Sequence, residues 1–186
     1  MTSLTEVRER PIPFTKAMIE AILAGRKSQT RRAMRVQPES AWMDWLININ
    51  LKGDNRYWVN GEPTMHINTN KEFDEEKGEC PYGKVGDRLW VKSRRFMPKR
   101  ETQIWLEITD IRVERLRSIT EQDAIAEGIP PIPEEFAKAL GVESDSNYAK
   151  RFSIVWDSIN NKRPGCSWQD NPFVWVISFK RIEVSK

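Results

Sequence analysis

The residues best suited to chemistry lie together in segment 24–32, which reads AGRKSQTRR. The segment has no acidic residue, one threonine hydroxyl at Thr30, and four cationic side chains, on Arg26, Lys27, Arg31 and Arg32. Clustered cationic donors beside a hydroxyl are suited to binding phosphate groups or to stabilising a developing oxyanion. A basic loop that only compensates the dipole at a helix C-terminus would have the same composition, so composition favours neither interpretation.

A helix and a strand are predicted to flank this segment. Thr15 is a good helix N-cap, apolar residues up to Ile22 recur at helical spacing, and Gly25 is typical of a helix end. After the basic residues, 33–36 is predicted to form a strand. The chemistry-bearing segment is therefore expected in the connection between a helix and a strand.

The second half of the chain is predicted to contain further strands and helices. Residues 88–92 and 104–113 have strand character, and the apolar parity changes after Ile108, which predicts a bulge near Thr109-Asp110. Thr120 opens a capping box for a short helix. Two more helices are predicted over 134–140 and 148–159, and a final strand over 173–184.

This order of elements predicts an α+β fold, with a small β-barrel or curled sheet and peripheral helices. The length of 186 residues favours a single domain over 1–186. Residues 37–83 are acidic and rich in Asn and Trp, so we interpret them as an insertion with turns at Gly53-Asp54 and Asn60-Gly61. Because the sequence shows neither βαβ alternation nor a Gly-rich phosphate loop, we do not expect a doubly wound nucleotide-binding fold. We also expect no cofactor.

Composition also restricts location and metal binding. The sequence has no apolar run of about 18 residues, so no membrane helix is expected, and the charged residues near position 1 do not suit a signal peptide. We expect a cytoplasmic protein. Cys80 and Cys166 are therefore expected to be reduced, although a disulfide between them is possible. With His66 as the single histidine, we expect no metal site.

Charge alternates strongly along the chain despite a net charge of only +3. The balance is +5 over 1–36, −5 over 37–83, +5 over 84–117, −6 over 118–147 and +4 over 148–186. Basic surface gathered in separate segments is typical of proteins that bind a polyanion such as RNA. A solvated surface of mixed charge would show the same alternation without any such partner.

Four motifs in order resemble the ASCH family, the activating-signal-cointegrator-homology domains. They are Gly25-x-Lys27-x-x-Thr30-x-Arg32, Gly86-Asp87-x-Leu89-x-Val91, Thr120-Glu121-x-x-Ala124-x-x-Glu127, and the final strand around Trp175-Val-Ile-x-Phe179. The match covers most of 12–36 and 84–186, and the chain looks most like the longer ASCH proteins of phages and prophages. The resemblance implies a PUA-like β-barrel, and PUA domains bind RNA.

The resemblance also implies a candidate catalytic set. Compact bacterial members hydrolyse N4-acetylcytidine with a Lys, a Thr and a Glu at the positions of Lys27, Thr30 and Glu127. Amide hydrolysis needs a nucleophile, a base and charge stabilisation. Thr30 is expected to supply the hydroxyl, Lys27 to act as the base if its pKa is lowered, and Glu127 to orient Lys27 or to handle the proton of the leaving cytosine.

This interpretation makes a geometric demand and has simpler competitors. Lys27 and Thr30 are three residues apart and would lie on opposite faces of a flat strand, so they can meet only if the chain turns after Gly25. Lys27 could instead be a plain phosphate contact, Thr30 a local hydrogen-bonding residue, and Glu127 the partner of Arg32 in a structural ion pair.

Two other functions remain open on the sequence. A non-catalytic RNA-binding module would use the basic segments 26–35 and 88–100, through residues Arg26, Arg31, Arg32, Arg35, Lys92 and Arg94. A metal-independent ribonuclease is the third alternative. The longer ASCH proteins usually have a Glu after the strand that ends at Val91, whereas this chain reads Lys92-Ser93-Arg94, which makes this region more basic. An aromatic residue such as Tyr82 or Trp168 could stack on a base or fill a loop core.

Overall fold

The computed structural model describes residues 7–35, 37, 58–59, 62–63, 80–141, 143 and 147–183. The strands are β1 (Glu9–Pro13), β2 (Gln29–Ala33), β3 (Trp58–Val59), β4 (Glu62–Pro63), β5 (Arg88–Lys92), β6 (Trp105–Arg115) and β7 (Phe173–Ile182). The helices are α1 (Lys16–Leu23), α2 (Glu121–Ala126), α3 (Glu134–Leu140) and α4 (Tyr148–Asn160), with single 3-10 turns at Lys99–Glu101 and Leu116–Ser118. This mixture of one larger sheet with several helices confirms the α+β class.

The larger sheet has five strands in the order β1-β5-β6-β7-β2. β1 pairs with β5 in parallel, and the other pairs are antiparallel. In a flat sheet, strands this many positions apart would be separated by roughly 19 Å. Yet the Arg32 guanidinium of β2 donates to the Pro13 carbonyl of β1 at 2.6 Å. The sheet therefore curls until its two edge strands come close together.

The central strands follow the sequence prediction closely. The register between β6 and β7 shifts between Ile108 and Asp110, which is the bulge that the change of apolar parity predicted. In β7, Trp175 and Ile177 face one core cluster, whereas Val174 and Val176 face the other. Because helices or the curled sheet cover both faces of β7, the strand is apolar on both sides.

The position of β2 corrects one prediction. A strand was expected over 33–36, but the paired strand is Gln29–Ala33, four residues earlier. Gln29, Thr30 and Arg31 are buried, so the strand runs through the most polar part of the segment. Its pairing with β7 satisfies the backbone, with Thr30 opposite Ile177, while distant polar side chains satisfy the buried ones.

The helix ends agree with the capping signals. Thr15 caps α1 through its hydroxyl, and Gly25 follows the helix with a positive φ of 71°. Thr120 and Asp123 form the predicted reciprocal capping box of α2. In α4, Phe152 and Trp156 are buried as predicted, but Val155 and Ile159 on the same stripe are 38% and 45% exposed.

Only a small part of the predicted insertion can be described. β3 and β4 pair as antiparallel strands on either side of Asn60-Gly61, where a turn was predicted. The turn at Gly53-Asp54 and most of 37–83 lie outside the described residues, so the insertion stays a prediction. Cys80 and Cys166 are both free and buried. Among the described residues, no helix is long and apolar enough to cross a membrane, and no group of metal-binding side chains occurs.

Candidate active site

The chain turns sharply between α1 and β2, and this turn brings Lys27 to the end of α2. The backbone amides of Arg26 and Lys27 both donate to the Ala21 carbonyl, at 2.9 and 3.1 Å, which folds the connection back onto the helix. Lys27 then forms an isolated antiparallel bridge with Glu127. The turn after Gly25 that the sequence interpretation required is therefore present.

Lys27 is held in place by three acceptors. Its ammonium donates to the Gln29 carbonyl at 2.8 Å, to the Glu127 carbonyl at 2.7 Å and to Glu127 Oε2 at 2.8 Å. The Lys27 side chain is 0% exposed. Because the Gln29 carbonyl belongs to the peptide unit that leads into Thr30, the ammonium lies against the backbone of the predicted nucleophile.

A cavity of about 810 Å³ opens beside this cluster. Thr30 and Glu127 line the cavity together with Arg31 and Arg32. Lys27 does not line it but is hydrogen-bonded to Glu127. Two of the three predicted catalytic side chains therefore line the cavity, and the third is hydrogen-bonded to one of them. This volume lies within the roughly 300–1,000 Å³ typical of small-molecule sites.

The two carboxylate oxygens of Glu127 have different surroundings. Oε2 accepts from Lys27, whereas Oε1 lies 3.5 Å from the Arg31 NH1 nitrogen and forms no hydrogen bond with any residue that the structure describes. Buried carboxylate oxygens normally have hydrogen-bond partners. Oε1 is therefore a buried acceptor that no described residue satisfies with a hydrogen bond. The ion pairs of Glu127 are with Lys27 and Arg31, not with Arg32 as the simpler interpretation expected.

Arg31 is the centre of a second group of charges. Its NH2 nitrogen donates to Glu114 Oε2 and to Asp123 Oδ2, each at 3.0 Å. Gln29 and Arg112 also donate to Asp123. Burial opposes ionisation of Asp123, but the Arg31 charge and several hydrogen bonds outweigh it and lower the pKa of this carboxyl to about 2. This network fixes Arg31, whose Nε and NH1 have no hydrogen-bond partner within the described part of the chain.

Arg32 lies on the opposite side of β2 from Arg31. Besides its bond to the Pro13 carbonyl, its guanidinium lies 5.1 Å from the Phe14 ring and 6.0 Å from the Tyr82 ring. Lys27 Nζ is 5.6 Å from the same Phe14 ring. The Arg32 guanidinium therefore connects the two edge strands of the sheet. Tyr82, whose ring lies beside Arg32, lines the cavity, where an aromatic ring can stack on a base.

The electrostatic surroundings push the Lys27 proton toward release. Burial lowers the pKa of Lys27, the nearby Glu127 carboxylate opposes this, and the charges of Arg32 and Arg31 lower it further. The net direction is downward, as the sequence interpretation required of a base. Burial likewise lowers the pKa of Arg32, while Tyr82 and Glu127 oppose that change.

The remaining predicted ligand-binding residues divide into two groups. Arg35 is exposed and lines the cavity. Arg26 is exposed but does not line it. Lys92 and Arg94 also lie outside the lining: Lys92 donates to the Arg95 carbonyl at 2.7 Å, and Arg94 pairs with Glu101. The structure therefore brings Arg31, Arg32 and Arg35 to one cavity, but not Lys92 at the end of β5 or Arg94 after it.

Sequence reasoning missed one wall of the cavity. This wall comes from α4 and the residues after it, and comprises Phe152, Val155, Trp156, Ile159, Asn160 and Arg163. The available signal was the width of the apolar stripe on α4, which is broader than one buried face needs. The partners of Arg31 were also missed, because they come from β6 and α2, more than 80 residues away.

Comparisons with known proteins provide few constraints. No family model matches the chain, and a search of curated proteins finds no match. Among solved structures, an ASCH domain from Lactobacillus crispatus JV V101 is similar with 14% identity and a TM-score of 0.43, over 94% of this chain and 79% of that one. Protein EF3133 from Enterococcus faecalis V583 is similar with 9% identity and a TM-score of 0.46, over 98% and 84% of the two chains. At these scores the likeness supports no argument about chemistry, which depends on the site itself.

Proposed function

We propose that this protein is an amidohydrolase that acts on an acylated cytidine or a related modified nucleoside. The observation that carries the proposal is the meeting of Lys27 and Glu127, 100 residues apart in sequence, beside Thr30 at the wall of the cavity. In this proposal Thr30 is the nucleophile, Lys27 the base and Glu127 the carboxylate that amide hydrolysis needs.

The proposed reaction has two halves. Thr30 Oγ attacks the acyl carbon while Lys27, in its neutral form, takes the hydroxyl proton, and the guanidinium of Arg32, which lies on the same side of β2 as Thr30, stabilises the oxyanion. The C–N bond then breaks, the proton passes from Lys27 to the leaving nitrogen, and an acyl ester remains on Thr30. Water attacks this ester, which releases the carboxylic acid and restores the threonine hydroxyl. The net change is amide plus water to acid plus amine.

The two oxygens of Glu127 have separate roles in this scheme. Oε2 orients Lys27 through the bond of 2.8 Å. In this scheme Oε1, which is buried and has no hydrogen-bond partner among the described residues, accepts from the exocyclic N–H of the substrate. A single carboxylate can thus position the base and recognise the nitrogen that leaves.

The test is incubation with N4-acetylcytidine followed by chromatography for cytidine. The wild type is expected to release cytidine, and Thr30→Val, which keeps the side-chain shape, is expected to release none while staying folded. Lys27→Ala should also be inactive, and Ser28→Ala, on an exposed neighbour, should keep full activity. If folded wild-type protein releases no cytidine from this or other N-acylated cytidines, the proposal fails.

A non-catalytic RNA-binding role is the second candidate, because Arg31, Arg32, Arg35 and Arg163 all line the cavity. Such a role predicts RNA affinity that falls steeply with salt and no change in the bound RNA. Binding to a labelled single-stranded RNA at several salt concentrations, followed by analysis of the recovered RNA, tests it. Recovery of intact RNA together with a steep salt dependence would favour binding over catalysis.

A further inference from the structure

We infer that the cavity has a phosphate-binding arm and that its preferred ligand is a phosphorylated nucleoside. This arm consists of the guanidinium groups of Arg35 and Arg163 and the apolar side chains of Val155 and Ile159. The inference rests on the proposed function, because it names the substrate class of the same site. It assigns roles to Val155, Ile159 and Arg163, which sequence reasoning did not place in a site.

The charge of the cavity lining exceeds what a neutral nucleoside requires. Among the described residues of the lining there are four arginines and one acid, Glu127, so these residues together carry three positive charges. Arg31 is already compensated by Glu114 and Asp123 outside the cavity. Arg35 and Arg163, in contrast, form no ion pair or side-chain hydrogen bond with any residue that the structure describes. Guanidinium groups in a concave site that have no partner among the described residues are suited to a phosphate ester, which each can bind through two parallel bonds.

The position of the arm suits a ligand with two chemically different ends. Arg35 is five residues beyond Thr30, which is at most roughly 16 Å at about 3.3 Å per residue, since β2 ends at Ala33 and Arg35 lies in a bend. The long arginine side chain can close part of this distance. The reacting group would therefore lie near Thr30 while the sugar side of the ligand points toward Arg35, where a phosphate is attached.

The cavity lining also has an apolar surface on α4. Val155 and Ile159 lie one helical turn apart on α4, are 38% and 45% exposed, and line the cavity. Apolar side chains on a helix normally turn toward the core, as Phe152 and Trp156 do. Exposure of two neighbouring apolar residues inside a basic cavity fits a ligand whose base or sugar packs against them.

The test compares the binding of cytidine, cytidine 5′-monophosphate and a short cytidine-containing single-stranded RNA by titration calorimetry. The mononucleotide is expected to bind about tenfold more tightly than cytidine, as one additional charge-assisted contact would give. Arg35→Gln and Arg163→Gln should each lower the affinity for the mononucleotide more than the affinity for cytidine, and so remove most of this preference. Arg181→Gln, on an exposed residue outside the cavity, is the matched control and should change neither affinity.

The outcomes separate the arm from the chemistry. Equal affinity for cytidine and its monophosphate, or a preference that survives both variants, would overturn the arm even if N4-acetylcytidine is hydrolysed. A phosphate preference lost in both variants, without any turnover, would support the arm and refute the amidohydrolase. If the RNA binds more tightly than the mononucleotide and loses affinity in the same variants, the bound phosphate is an RNA phosphodiester. If the RNA and the mononucleotide bind with equal affinity, the ligand is a mononucleotide. Both results support the arm.

Discussion

Replacement of Lys27 by methionine should destabilise the protein strongly. Methionine has a similar length but no hydrogen-bond donor. In the structure the Lys27 ammonium is fully buried and donates to Gln29 O, Glu127 O and Glu127 Oε2, all within 2.8 Å. Lys27→Met would leave the Glu127 carboxylate without its closest cation and two buried carbonyls without a donor.

The expected cost follows from this geometry. Removal of one partner from a buried ion pair typically costs about 3–5 kcal/mol, because the other charge remains desolvated. The pair with Arg31, at 3.5 Å, compensates Glu127 only in part. For a chain of 186 residues, where about 1 kcal/mol corresponds to roughly 2–4 °C, the melting temperature should fall by about 10 °C.

Urea unfolding at neutral pH measures this cost, with Ser28→Ala as a control that should stay within about 0.5 kcal/mol of the wild type. The double variant Lys27→Met/Glu127→Leu removes the unpaired carboxylate and should recover about 2 kcal/mol relative to Lys27→Met alone. If Lys27→Met unfolds within about 1 kcal/mol of the wild type, or the double variant is less stable than the single one, the buried pair does not hold this region together.

Three further predictions follow from the same region and the core. Gly128→Ala would place a Cβ 2.9 Å from the Lys27 Cβ, whereas a Cβ at Gly86, which has a similar positive φ, would meet nothing within 4 Å. Urea unfolding should therefore show Gly128→Ala to be less stable than the control Gly86→Ala by about 1–3 kcal/mol. Because the pKa of Asp123 is lowered from 3.8 to about 2, the stabilisation by its carboxylate is complete above pH 4 and is lost as the pH falls toward 2. Asp123→Asn should therefore flatten the plot of unfolding free energy against pH in this range. An unchanged slope would contradict the network around Arg31. Burial raises the pKa of Cys80 to about 12, so this thiol should resist iodoacetamide at pH 8 until urea unfolds the protein, and mass spectrometry of the labelled peptide checks it.

The parts of the fold that sequence patterns predicted are those in which the pattern is local. The bulge in β6 could be placed because apolar parity changes between Ile108 and Ile111, and this change depends only on which face each residue buries. The cap of α2 could be placed because Thr120 and Asp123 satisfy each other within one turn. Neither inference needs a partner from elsewhere in the chain.

β2 could not be predicted because its partners are remote. Five polar or small residues, QTRRA, do not have the composition of a buried strand. Arg31 becomes a core residue only because Glu114 and Asp123, from β6 and α2, accept its hydrogen bonds. The location of Lys27 and Thr30 near each other was expected, but the role of Arg31 as the residue that links Glu127 to this network depends on contacts that no local pattern contains.

The proposed reaction and the stability of the site place opposite demands on Lys27. Three acceptors surround its ammonium, and a neutral amine has only two protons to offer them, so loss of the proton leaves one acceptor without a donor. A base must be neutral, and burial with two nearby guanidiniums lowers the pKa of Lys27 against the pull of Glu127. A substrate N–H that donates to Glu127 Oε1 would weaken this pull, since the carboxylate then shares its charge with a second donor. In the proposed reaction, substrate binding itself therefore shifts Lys27 toward its neutral form, and the site remains a stable ion pair until the correct amide arrives.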